Sequence, residues 1–354
     1  MITIAPLPAA AYDLLAAEGF GTDLFNPTQH RACELVELYA LHLAIDLAGR
    51  LGSAPATHPA VAWVRDRIRL AAPRPPVDLD TIRAEGLATD PAYAPAYALL
   101  DAAAAILPQV ARGETTGERA LLGKVALWVT YFSNTNPYYA LNNRVAARAA
   151  AARVGEGTAV LEVGAGLGSA SEALLEELAA RGARERLADY VATEPVAFFR
   201  RRAERTLTAA FPGVPLRTGV LDVNQPWAAQ HVAPGTFQLV WGVNVFHLAR
   251  DLDTVLREAY AALAPGGWLV VGEGMRPFAD RVVGAELPFR LLESFVDVTL
   301  DPLRRPTPGF LTAEHWIGAL VRAGFAQVAV VPDAVRLRAI YPGFLAAAVC
   351  GRRV

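Results

Sequence analysis

Three glycines at every second position, Gly164, Gly166 and Gly168, punctuate the decapeptide V-L-E-V-G-A-G-L-G-S at Val160 to Ser169. Ahead of them, Ala159 to Val163 is apolar apart from Glu162 and reads as a buried strand. Behind them, an Ala/Leu/Glu-rich stretch to Ala180 has helical periodicity. Strand, glycine turn and helix form the first unit of a nucleotide-binding α/β sheet. Glycine permits turn angles closed to other residues and leaves room for a ligand against the main chain.

The spacing narrows the ligand. It is G-x-G-x-G rather than the G-x-G-x-x-G of dinucleotide turns, and Glu162 stands two residues before the first glycine. A dinucleotide sets its pyrophosphate on the helix N-terminus. S-adenosyl-L-methionine (SAM) has no phosphate, and an acidic residue near the turn suits its amine-bearing end. The turn therefore favours SAM over NAD, with Glu162, Gly164, Ala165, Gly166 and Gly168 as candidate contacts.

After Val160, strands and helices alternate as in a parallel sheet. Strands are expected at Tyr190–Thr193, Pro215–Val220 and Phe237–Val243, then around Val328–Val331 and near Phe344–Cys350, while Ala264–Gly274 reads as a tight turn feeding a buried strand that ends at Glu273. Met275 to Leu311 is irregular. Residues 1–140 carry proline-bounded helical segments instead, with helix starts expected at Asp80 and Thr116 and a linker at Ala71–Val77. The expected architecture is a Rossmann-like, seven-stranded α/β sheet in residues 141–354, under a helical N-terminal lid or substrate domain in residues 1–140. Residues 275–311 form an insertion near the site.

Composition excludes other classes. A formal net charge of −2 offers no general attraction to nucleic acid. No signal peptide is visible, and the best apolar run, Leu35 to Leu47, is interrupted by Glu37, His42 and Asp46, so no membrane span is expected. Cys33 and Cys350 lack metal-ligand spacing and read as free thiols of a cytoplasmic protein. No metal cluster is expected, and oligomeric state is not legible.

The chemistry gathers at strand ends. Glu194 could accept from two ribose hydroxyls, against the plain alternative of a solvated strand-end carboxylate. Asp222 could accept an adenine amine with Val223 packing on the ring, against a role as turn former. Asn244 and His247 follow the fourth strand, and Glu273 ends the fifth, so His247 and Glu273 could meet at one edge of the sheet. A carboxylate on one imidazole nitrogen fixes the tautomer and strengthens the other nitrogen as a base. Tyr131, Phe132, Tyr138, Tyr139, Phe289 and Trp316 are candidate pocket aromatics, though core packing explains each equally well.

These strings, with Y-V-A-T-E-P-V-A-F-F, L-D-V-N-Q-P, F-Q-L-V-W-G-V-N-V-F-H-L-A-R-D-L and L-A-P-G-G-W-L-V-V-G-E, resemble class I SAM-dependent methyltransferases. More narrowly, they are similar to the C-methyltransferase domains of polyketide synthases. The resemblance covers about residues 105–350. It implies a dyad of His247 and Glu273 that deprotonates the α-carbon of a β-ketoacyl thioester on an acyl carrier protein, SAM then becoming S-adenosyl-L-homocysteine. Glu194 stands where that family commonly has Asp, and F-H-L-A replaces its usual L-H-A-T. An O-methyltransferase of a small hydroxylated metabolite and an idle SAM-binding module are the alternative readings.

Overall fold

The computed structural model describes residues 2–52, 58–71 and 77–354, and most of the expected linker falls outside them. Its strands are β1 (Thr158–Val163), β2 (Leu187–Thr193), β3 (Leu216–Gly219), β4 (Phe237–Val243), β5 (Leu263–Gly274), β6 (Ala326–Val331) and β7 (Ala346–Arg352). They form one sheet in the order β3-β2-β1-β4-β5-β7-β6. The order reverses between β1 and β4, so a crevice opens beyond their carboxyl ends.

β1 to β5 pair in parallel, whereas β7 runs antiparallel between β5 and β6. The seven strands are those of the expected Rossmann-like sheet, with β7 reversed for a local reason. From β6 the chain returns directly alongside through a short helix, Ala334–Ile340, without the long crossover a parallel partner needs. The tract A-P-G-G lies inside β5: Leu263 already pairs with Phe237, and the register shifts before Leu239 meets Trp268. Gly266, at φ 79°, takes the left-handed turn that this shift requires.

Alternating side chains divide the sheet into two buried faces. Val160, Trp241, Val270 and Ala348 pack with the helices Pro137–Ala151 and Ser169–Ala180. Leu161, Val240, Leu269 and Val349 pack with Leu252–Ala262 and Ala313–Arg322. The alanines of Pro137–Ala151 let its backbone approach the sheet closely. A Cβ on Gly272 of β5 would lie 2.4 Å from that of Ala146. This helix runs across the expected domain boundary at residue 140, so one rigid element joins the N-terminal region to the core.

The N-terminal region is helical, as its periodicity predicts: Ala9–Ala17, Pro27–Leu51, Pro59–Arg69, Leu79–Thr89, Ala94–Ala111 and Val125–Tyr131. One helix start lies earlier than expected. Asp78, rather than Asp80, accepts the Thr81 amide at 2.8 Å. Asn26 and Gln29 close a reciprocal capping box, each side chain 3.0 Å from the other's amide, worth roughly 1 kcal/mol. Among the described residues one helical stretch, Pro91–Ala111, is long and apolar enough to cross a membrane. Here it packs within the helical core through Leu99, Leu100 and Leu107, and its Asp101 bonds Tyr39 and Arg83.

Residues 275–311 are irregular as expected, with only two short helices, Glu286–Phe289 and Glu293–Val296. This strap shares one apolar core with the N-terminal helices. A buried ion triad shapes it, with Glu286 accepting from Arg276 at 2.6 Å and from Arg290 at 2.6 Å. The two guanidinium charges hold the Glu286 carboxyl below its usual range against the opposing effect of burial.

Candidate active site

A cavity of about 740 Å³ lies beyond the carboxyl ends of the central strands, covered by N-terminal helices and the strap. Gly164 and Gly166 bend the floor of this cavity at φ 66° and 56°. The turn is pinned by the Ala165 amide donating to the Thr193 carbonyl at 2.8 Å. A Cβ on Gly166 would find no protein atom nearer than the Gly164 carbonyl oxygen at 4.0 Å, so this face of the turn is free for a ligand. Gly168 has a different role from the one expected. It starts the helix Ser169–Ala180 and presses on Leu207 and Ala203, where a Cβ would sit 3.1 and 3.3 Å away, and it does not border the cavity.

Glu194, at the end of β2, accepts the Gly166 amide at 3.1 Å and the Val196 amide at 2.8 Å. Burial raises its carboxyl above the usual range; those two amides and Arg200 pull the other way. Each oxygen keeps lone-pair capacity for a hydroxyl in the cavity. Asp222 lies beyond β3 and makes a turn of its own, its carboxylate accepting the Asn224 amide at 2.9 Å. It nonetheless borders the cavity with Val223, so the turn-former and ligand readings hold together. Asn244 takes a left-handed φ of 54°, aiming its side-chain oxygen at the Gly274 amide, 3.1 Å away. That bond ties the end of β4 to the end of β5.

Glu162 departs from expectation. It lies 1% exposed and off the cavity wall where a ligand contact was expected, and its partners are the Ser171 and Tyr190 hydroxyls, at 2.5 and 2.7 Å. Its other oxygen has no partner among the described residues. Burial pushes the carboxyl up to about 7 from a usual 4.5, opposed by the two hydroxyls. A raised folded-state value means that the native protein holds the proton more tightly than the unfolded chain does. The contribution is full below about pH 4.5 and is lost as pH rises to about 7, a change on the order of 3 kcal/mol. Glu162→Gln keeps an acceptor for both hydroxyls and should flatten stability against pH across that window. Denaturant titrations showing the same slope in both proteins would place the titration elsewhere.

His247 and Glu273 meet as the sequence suggests. Imidazole Nδ1 is 2.6 Å from one Glu273 oxygen, and the His247 backbone amide donates to the other at 3.2 Å. Glu273 is fully buried, so both its oxygens are committed to His247. With the carboxylate accepting, Nδ1 carries the hydrogen and Nε2 presents its lone pair. The ring borders the cavity, and the edges or faces of Phe295 and Phe310 lie 5.3 Å from it, centroid to centroid.

Residues 161–269 match the family model of a methyltransferase domain. The chain is 32% identical over 239 residues to polyketide synthase ThaG of Burkholderia thailandensis, covering 66% of this chain and 4% of that protein. It is 32% identical over 184 residues to highly reducing polyketide synthase otaA of Aspergillus niger, covering 50% of this chain and 7% of that protein. The CurJ carbon methyltransferase shares the fold with a TM-score of 0.72 at 19% identity, over 99% of this chain and 100% of that one. This chain carries a methyltransferase domain.

The fold shared with the CurJ carbon methyltransferase runs along nearly the whole chain, the N-terminal helices included. The trans-methyltransferase CalH, solved with S-adenosyl-L-homocysteine, aligns with a TM-score of 0.68 at 19% identity, over 91% of this chain and 90% of that one. The methyltransferase spans less than a tenth of the polyketide synthases it matches.

The aromatic wall of the cavity combines Phe132 and Phe289, both expected there, with Trp128 and Phe295, which the sequence does not single out. Trp128, Phe132, Phe289 and Phe295 form a run of near-parallel rings, with interplanar angles of 23°, 25° and 25°. Trp316, proposed as lining, is instead fully buried among the residues beneath the far face of the sheet. Glu37 also reaches the wall, from the helix Pro27–Leu51, where Tyr138, Arg67 and the Gly284 amide hold it. Arg305 lies behind His247. Trp128 and Glu37 lie on helices, where periodicity marks burial without saying which buried face meets a cavity.

Proposed function

We propose that this methyltransferase methylates the α-carbon of a β-ketoacyl thioester, presented on a carrier protein, with His247 as general base oriented by Glu273. The buried 2.6 Å His247–Glu273 contact at the cavity wall carries the reading. When bound, SAM supplies a methyl group on a sulfonium, open to in-line attack by a carbon nucleophile.

The residues present fit that cofactor. Glu194 would take the ribose hydroxyls, Asp222 the adenine amine with Val223 against the ring, and the open backbone of Gly164 to Gly166 the amino-acid end, beside Asn244. Among the described residues the wall carries seven carboxylates and one guanidinium, that of Arg250, a balance suited to a ligand with positive charge. Glu162 lies off this wall and ties β1 to β2 and to the helix Ser169–Ala180 through Tyr190 and Ser171.

An α-carbon between two carbonyls is acidic enough for imidazole to deprotonate near neutral pH. His247 Nε2 would take that proton. The ring's new charge would then face Glu273 in a site where Phe295 and Phe310 exclude water, and there the attraction is stronger than in solution. The aromatic run from Trp128 to Phe295 gives an apolar acyl chain a surface leading to the base. The relatives' name as polyketide synthases supports an acyl acceptor.

The test uses a pair of β-ketoacyl thioester surrogates, one with α-hydrogens and one with the α-carbon fully substituted. Mass spectrometry should show a methyl gained by the first only. Methylation of the blocked compound would mean transfer to oxygen and would remove the C-methylation claim.

A further inference from the structure

Arg305 is 3% exposed, and among the described residues its guanidinium bonds carbonyls and no carboxylate. Its guanidinium donates to the His247 carbonyl at 2.6 Å and to the Ala249 carbonyl, two residues on. The negative charges nearest to it, Glu273 and Asp251, act through space, and Nε has no partner. A buried cation satisfied only by carbonyls is costly, and a planar fork suits two diverging acceptors as an ammonium does not.

The segment that carries Arg305 is itself fixed. Asp301 and Arg305 exchange backbone bonds at 3.0 and 2.9 Å, and the Asp301 side chain caps the amides of Leu303 and Arg304. The Thr299 amide donates to the Arg250 carbonyl at 2.7 Å, and Arg250 pairs with Asp297 at 3.0 Å. The strap is thus stitched to residues 247–250 at several points. Phe295 and Phe310 of the same strap pack on the imidazole, and a Cβ on Gly309 would fall 2.2 Å from Phe295, so that packing is tight.

We propose that Arg305 is a positioning residue for methyl transfer: by holding the carbonyls of His247 and Ala249 from the strap side, it keeps Nδ1 on Glu273 and Nε2 turned to the cavity. This rests on His247 as the base. Glu273 fixes one side of that residue and Arg305 the other, so loss of the fork frees the loop to tilt the ring. Misplacing a reacting group by about 1 Å can cost on the order of 100-fold in rate.

The decisive variants are Arg305→Lys, which keeps the charge and loses the fork, and Arg305→Ala, assayed with and without added guanidinium. Three readouts are taken: kcat with SAM and a β-ketoacyl thioester surrogate, SAM affinity by calorimetry, and the His247 imidazole nitrogens by 15N NMR, assigned with His247→Ala. Arg305→Lys should lower kcat about tenfold or more with SAM affinity within about threefold, and should mix the two His247 tautomers. Guanidinium should restore part of the rate lost in Arg305→Ala. If Arg305→Ala does not fold, the lysine variant alone decides. An unchanged kcat and a single Nδ1–H tautomer in Arg305→Lys would overturn the proposal. A drop in rate that only follows SAM affinity would do the same. If His247→Ala turns over normally, the base assignment has failed, whereas the NMR signal still reports on the Arg305 contact.

Discussion

Replacing His247 by alanine should lower kcat for methyl transfer by about 10²- to 10⁴-fold while SAM affinity stays within about threefold. The variant removes the imidazole that borders the cavity and leaves Glu194, Asp222 and the glycine turn in place, since the hydrogen-bond partner of the ring is Glu273. Glu273 would lose its imidazole partner and become a buried carboxylate with only the backbone amide of residue 247 to satisfy it. Some loss of stability is therefore expected, and a melting curve must accompany the kinetics. Steady-state rates with saturating SAM, paired with calorimetry, separate the two effects. Normal turnover would mean that the dyad is structural.

Gly164→Val should reduce SAM affinity by more than about tenfold and lower kcat as well. At φ 66° a β-branched side chain is strained. A Cβ would also lie 2.5 Å from Val245 Cγ2 and 3.0 Å from Val245 Cβ. Val245 sits between Asn244 and His247, so relief of the clash moves the cofactor wall and the base together. Calorimetry with SAM checks the first effect, and the same thioester assay checks the second. Unchanged SAM affinity would show that the cofactor does not lie on this turn.

The parts of the site legible in the sequence are those placed by strand ends. Gly164, Glu194, Asn244 and Glu273 each close a strand whose apolar run is visible, and parallel β1 to β5 carry all four to one rim of the sheet. The His247–Glu273 contact follows from that, since β4 and β5 are neighbours. What spacing could not give is the far side of each residue. Glu162 was read against the turn that follows it in the chain. Its real partners come from a helix nine residues on and from the adjacent strand 28 residues on. Gly168 looked like its two predecessors, yet its neighbours are Leu207 and Ala203 of another helix.

The strap was harder still. Met275–Leu311 has no periodicity, so nothing in its pattern marked Phe295, Phe310 or Arg305 as neighbours of His247. Trp316 shows the converse. Its helix is plainly amphipathic, but periodicity says only that the tryptophan is buried, and the face it meets is the core under the sheet. The antiparallel β7 likewise looks parallel from its apolar run alone, because direction depends on how the short helix Ala334–Ile340 returns the chain.

The most direct test of the central claim is one 13C NMR measurement. The protein is incubated with SAM carrying a 13C-labelled methyl and a β-ketoacyl thioester surrogate. The account predicts a labelled methyl bonded to the α-carbon, formed by the native protein and not by His247→Ala. A labelled methyl on oxygen, or equal α-carbon methylation by the alanine variant, would contradict it.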